Sequence, residues 1–148
     1  MRSIARITLV VPDYHEAIAY YRSVLAFCLL EDRPLPSENK RWAVMAPECD
    51  SRVSIVLGRA SNVEQAARIG DQAGGRVFLF LRTDDFDRDY HALVSRGVTI
   101  VREPQRFDYG RVVVFQDLYG NLWDLIEPGT RYPQSHRICM PADAARRR

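Results

Sequence analysis

Three histidines, three cysteines and a few charged side chains set among apolar strands are the groups of this chain with chemical potential. The histidines do not cooperate. His15 falls in the first turn of a predicted helix, His91 in the middle of another off its apolar face, and His136 near the C-terminus, so each reads as a solvated surface residue. Cys28, Cys49 and Cys139 are odd in number and form no CxxC pair, so neither a disulfide framework nor a zinc knuckle is expected, and the cytoplasm is the expected compartment. The chain has no Gly-rich phosphate loop, no HExxH and no GxSxG. What remains is Arg6, Arg82 and Asp124, three charges on otherwise apolar strands. An unpaired buried charge is costly, so each must find a partner, water or a ligand. Their chemistry is recognition: guanidinium groups for an anion or a carbonyl, and one carboxylate able to accept a proton.

The elements that position these groups follow from periodicity. Ile4–Val11 alternates as a strand, and Pro12-Asp13 ends it with Asp13 as a helix N-cap. Ala17, Ile18, Tyr21, Val24 and Leu25 recur at helical spacing. Strands are predicted at Phe27–Leu30, Trp42–Ala46 and Val53–Leu57, with a polar, proline-bearing loop at 33–40. Residues 61–75 read as a linker with a short helix at Val63–Ile69 and a flexible joint at Gly74-Gly75. The pattern then repeats: strand Arg76–Arg82, helix Phe86–Arg96 closed by Gly97, strand Val98–Val101 ended by Glu103-Pro104, and a final pair Arg111–Phe115 and Leu122–Ile126. Asp13 maps to Asp85 at a step of 72, and Arg41 to Arg111 at a step of 70.

The fold class expected is therefore α+β: two tandem β-α-β-β-β modules forming a curved mixed sheet around a central cavity. Module one covers about 4–60 and module two 76–128, within a single domain 1–128, and 129–148 is a basic tail. One such unit leaves a sheet face uncovered, which a second unit closes. Strand parity gives the face: Arg6, Thr8 and Val10; Val53, Ile55 and Leu57; Phe78, Phe80 and Arg82; Leu122, Asp124 and Ile126. Val53, Ile55 and Leu57 fit either this wall or the core, whereas Phe78 and Phe80 read as ligand-facing. Trp42, Phe107 and Tyr109 are candidate rim aromatics. An apolar wall with a few polar groups is how small-molecule sites are built. The candidate ligand-binding residues are Arg6, Thr8, Trp42, Phe78, Phe80, Arg82, Tyr109 and Asp124.

Composition narrows the partners. At 47% hydrophobic and 27% charged residues the chain is globular, and no apolar run approaches the roughly 20 residues of a membrane span. The opening residues turn polar too soon for a secretory signal. A net charge of +2 argues against nucleic acid. Residues 131–148 hold five arginines and one acid, which leaves 16 basic and 18 acidic groups in the body.

The segments ITLVVPDYHEAIAYYRSVLAF, GGRVFLFLRTDDFDRDYHALVSRGV and FQDLYGNLWDLIEP resemble the vicinal oxygen chelate superfamily, which includes glyoxalase I, bleomycin-resistance proteins, fosfomycin-resistance enzymes and extradiol dioxygenases. The resemblance spans 4–128, and TDDF with YGNLWDLIEP is similar to an uncharacterised glyoxalase-like branch. It implies one divalent ion held by a His and a Glu from each module. The matching positions here are Arg6, Ile55, Phe78 and Asp124. Arg stays protonated and Ile and Phe offer no lone pair, so no metal and no cofactor are expected. The resemblance then points to a metal-free small-molecule binder of the bleomycin-resistance type. The alternative is a metal-dependent lyase, isomerase or dioxygenase, or a metal-free catalyst using Asp124. It also implies a homodimer. Arg6 is expected to replace the ion electrically by pairing with Asp124, leaving Arg82 as the free donor.

Overall fold

The computed structural model describes residues 2–130. The first module comprises β1 (Arg6–Val11), α1 (Tyr14–Ser23), β2 (Cys28–Leu35), β3 (Lys40–Ala46) and β4 (Ser54–Arg59). A short helix, α2 (Val63–Ala66), lies in the connection. The second module comprises β5 (Val77–Arg82), α3 (Phe86–Ser95), β6 (Thr99–Phe107), β7 (Gly110–Gln116) and β8 (Leu122–Pro128). The α+β class and the tandem modules are as the repeat predicts. The strands form two separate four-stranded mixed sheets, β1-β4-β3-β2 and β5-β8-β7-β6, rather than one continuous sheet. Among the described residues no helix is long and apolar enough to cross a membrane. The basic tail from 131, with Cys139 and His136, lies outside the described residues.

Both long helices begin as their sequence dictates. The Asp13 side chain accepts from the Glu16 N–H at 2.8 Å, and Asp85 accepts from the Arg88 N–H at 3.0 Å. Each cap is worth about 1 kcal/mol. The edge strands β2 and β6 run further than periodicity predicts, through Pro34 and Pro104. Proline is tolerated there because an edge strand has one row of N–H groups without a ladder partner. The charges at Glu31, Asp32 and Arg33 and at Arg102 and Glu103, together with bulges in both strands, suit edges that must not recruit another chain.

One core joins the modules. Leu9 and Val11 of β1, Tyr21 and Ile18 of α1, Leu57 of β4, Phe86 of α3 and Trp123 and Leu125 of β8 belong to a single buried cluster. Tyr21 and Phe27 place their ring centroids 6.2 and 5.9 Å from Trp123. The helix-bearing sides of both sheets therefore share this core, and the helix-free side of each sheet turns outward. In β4 the parallel register sets Arg6 against Ser54 and Thr8 against Val56. Ile55 and Leu57 consequently point into the core at 5% and 1% exposure, and the helix-free face is Ser54, Val56 and Gly58. The open reading of this segment is thus resolved in favour of core for Ile55 and Leu57, whereas Val53 precedes the strand and is 40% exposed. Both faces of that strand carry apolar residues, so alternation alone does not choose between them.

Two further expectations are corrected. Cys28 and Cys49 form a disulfide, with Cα atoms 5.3 Å apart and a sequence separation of 21. Cys28 opens β2 opposite Ala46, and the turn after β3 returns Cys49 to it. The linker is also fitted rather than loose. The Gln72 side chain accepts from the Val10 N–H at 2.8 Å and donates to the Thr8 carbonyl at 3.3 Å, capping the free edge of β1. Its backbone N–H donates to Asn121 Oδ1 at 3.2 Å. Gly70 adopts φ +75° against the Tyr119 carbonyl, where a Cβ would lie 1.8 Å from that oxygen, so only glycine fits.

Candidate functional site

The helix-free face of module one is organised by Glu31 on the edge strand β2. One oxygen accepts from Arg6 Nη2 at 2.9 Å and the other from the Trp42 indole N–H at 3.0 Å. The Arg6 and Arg33 guanidinium groups lie 5.4 and 5.9 Å from the Trp42 ring centroid, within cation–π range. Trp42 is thus a braced, half-buried aromatic platform. Beside it opens a cavity of about 360 Å³ whose wall includes Thr8, Val10, Trp42, Val56 and Arg59. At its rim Arg41 grips Asp32 with two hydrogen bonds of 2.5 and 2.6 Å, and this pairing holds the Asp32 carboxyl below its usual range.

The corresponding face of module two is unsatisfied. Phe80 is 62% exposed and lies opposite Asp124 on β8. Asp124 Oδ1 is buried without a hydrogen-bond partner. Desolvation pushes the Asp124 carboxyl up, and the positive charge of Arg102 opposes that shift. Arg102 pairs with Val114, itself opposite Asp124, which places all three on neighbouring strands. At the β6–β7 hairpin Phe107 and Tyr109 stack with centroids 5.0 Å apart, and both are nearly half exposed.

The predicted residues therefore divide into separate groups. Arg6, Thr8 and Trp42 share the face of module one, whereas Phe80 and Asp124 share that of module two, with Tyr109 on the β6–β7 hairpin. The expected Arg6–Asp124 pair does not form within the chain, because Glu31 takes Arg6. Phe78 is displaced by an irregularity in β5 between Val77 and Leu79 and packs against the core cluster instead of a ligand wall. Arg82 has no ion pair among the described residues, and it lines a cavity between the modules rather than the surroundings of Asp124.

The metal set implied by the resemblance does not fit these residues. With Ile55 in the core, the position on β4 that matches Asp124 is Val56. The donors then reduce to one carboxylate, and among the described residues no three His, Cys, Asp or Glu side chains converge.

Sequence reasoning missed Glu31, Arg102 and Asp117. The first two sit on irregular edge strands, where parity is lost. Asp117, in the turn between β7 and β8, is a buried hub at 4% exposure. Its Oδ1 accepts the N–H groups of Tyr119, Gly120 and Asn121 at 3.0 to 3.1 Å. Its Oδ2 accepts from Tyr21 at 2.6 Å, Asn121 at 3.0 Å and Trp123 at 3.2 Å. Burial first, and the Asp117 charge second, push the Tyr21 hydroxyl far above the usual tyrosine range. Asp117 thereby joins α1 of one module to β8 of the other.

Comparison with known proteins accords with this architecture. An uncharacterised protein of Shewanella frigidimarina is 53% identical over 132 residues, covering 89% of this chain and 98% of that one. The crystal structure of TnmS3, an antibiotic binding protein from Streptomyces sp. CB03234, is 29% identical with a TM-score of 0.70, covering 87% of this chain and 98% of that one. A superfamily member from Sphaerobacter thermophilus is also 29% identical, with a TM-score of 0.71 and coverage of 86% and 98%. The sequence profile of the Glyoxalase/Bleomycin resistance protein/Dioxygenase superfamily matches residues 3–125, and the chain belongs to that superfamily.

Proposed function

We propose that the protein binds a small organic molecule on its helix-free sheet faces without using a metal. The observation that carries this reading is the face of module two: an exposed phenylalanine beside a carboxylate whose buried oxygen has no partner. An exposed ring is stabilised by whatever covers it, and an orphaned acceptor is costly unless something donates to it. A ligand with an apolar ring and an N–H or O–H donor satisfies both. The likeness to an antibiotic binding protein supports a natural product of that kind.

The two faces of one chain turn away from each other, so a homodimer completes the site by setting module one of one copy over module two of the other. Trp42 and Arg6 would then complement Phe80 and Asp124 across the interface. The compartment proposed is the cytoplasm, where Cys28 and Cys49 would be held largely as thiols. The reading as a metal-dependent lyase, isomerase or dioxygenase has only the Asp124 carboxylate in its favour.

A panel of natural-product antibiotics, read by thermal unfolding, tests the proposal. Ligands that bind the native state raise Tm in proportion to RT ln(1 + [L]/Kd). At least one compound is expected to raise Tm in the wild type and to lose that effect in Phe80→Ala and Asp124→Asn. A rise unchanged in both variants, or a rise produced only by Zn, Ni, Mn or Fe, overturns the proposal.

A further inference from the structure

A second cavity, of about 280 Å³, opens between the modules and shares none of the residues that carry the proposal above. One wall is the corner between α1 and β2 together with the β3–β4 loop at Pro47 and Glu48. The other is the end of β5 and the exposed side of α3. Its floor is the edge of the common core, with Leu25, Phe27 and Leu93 at 9%, 5% and 6% exposure. Cys28 and Cys49, paired in the structure, directly follow Phe27 and Glu48 on the module-one wall.

The charges around this apolar floor are not balanced internally. Arg88 and Asp89 neutralise each other through bonds of 2.8 and 3.1 Å, and Arg88 also reaches Asp84 at 3.0 Å. Arg96 donates one N–H to the Val24 carbonyl at 3.1 Å, which fixes its side chain across the module boundary and leaves its other donors free. Arg82 carries no hydrogen bond or ion pair among the described residues. Glu48 is the one acidic group at the mouth without an ion pair among the described residues. The cavity lining therefore sets Arg82, Arg88 and Arg96 against Asp89 and Glu48, one net positive charge over a hydrophobic floor. An apolar body with a single anionic end matches that pattern, since guanidinium–carboxylate bonds fix the head and burial stabilises the rest.

We propose that this inter-module cavity is a binding site for a small apolar carboxylate, its head on Arg82 and Arg96 and its hydrocarbon body on Leu25, Phe27 and Leu93. The volume equals about nine water molecules at ~30 Å³ each, room for a medium-chain or single-ring acid. The site is independent of the ligand proposed for the outer faces.

Octanoate is the probe, titrated into the full-length protein and followed by backbone amide NMR, with octanol as the neutral control. Saturable shifts are expected at Ala26, Ala92, Leu93 and Arg96, with Thr8 and Trp42 unmoved. Octanol is expected to bind about tenfold more weakly, and Arg82→Gln and Arg96→Gln to weaken octanoate by about tenfold each, the worth of one charge-assisted hydrogen bond. Glu48→Gln touches no packed group and is expected to tighten octanoate. Equal binding of octanol, shifts confined to the Thr8–Trp42 face, no saturable shift, or no tightening by Glu48→Gln overturns the proposal.

Discussion

The two modules share one topology and treat their outward faces oppositely. In module one Glu31 satisfies Arg6 and the Trp42 indole at once. In module two the same face leaves Phe80 open to solvent and Asp124 Oδ1 without a donor. The contrast recurs between two carboxylates near the same β7–β8 turn. Asp117 accepts six hydrogen bonds on the core side and builds structure, whereas Asp124 has an orphaned oxygen on the outer side. A fold that repeats its backbone has thus kept one side of module two complete and left the other unfinished, as a binding surface requires.

The largest expected effect lies at the satisfied carboxylate. Asp117→Ala strands the backbone N–H groups of Tyr119 and Asn121 and the donors of Tyr21, Asn121 and Trp123, and should cost about 3–5 kcal/mol in denaturant unfolding. A loss below about 1 kcal/mol would show that Asp117 does not join the modules. Next comes the disulfide. Cys28→Ser should cost about 3 kcal/mol under oxidising conditions, given the length of the closed loop, and nothing once both proteins are reduced.

A smaller effect is expected at the module-one face. Glu31→Gln weakens exposed pairs, so it should cost about 1 kcal/mol or less while altering the Trp42 fluorescence. An unchanged emission spectrum would mean that the indole is not braced by Glu31. The smallest effect concerns Asp124. Its native pKa lies above the unfolded value, so the native state binds more protons in the window between them and stability falls as pH rises through it. Asp124→Asn removes that loss. The variant should exceed the wild type in stability at neutral pH and converge with it in acid below the carboxylate range. Equal stability at every pH would mean that Asp124 is solvated.

The class, the tandem repeat and both helix starts were legible because periodicity and the Asp13 and Asp85 caps are local signals. The site was legible only in part. The face of β1 followed from alternation, since Leu9 and Val11 alternate with polar or half-exposed neighbours. β4 did not, because Val56 on one face and Ile55 and Leu57 on the other are all apolar. The irregularity that turns Phe78 away leaves no mark in composition, and β2 and β6 run through prolines that read as strand ends. Glu31 reaches Arg6 and Cys28 reaches Cys49 through pairings that only the register of the sheet creates, as does the turn from Asp117 to Tyr21.

Native mass spectrometry of the untagged protein as purified tests the central claim most directly, since one spectrum reports both the assembly and what it retains. The account predicts a species of twice 17.0 kDa that carries a small organic molecule, and a Phe80→Ala, Asp124→Asn double variant that has lost it. A 17.0 kDa monomer with nothing bound, or equal retention by the double variant, would contradict it.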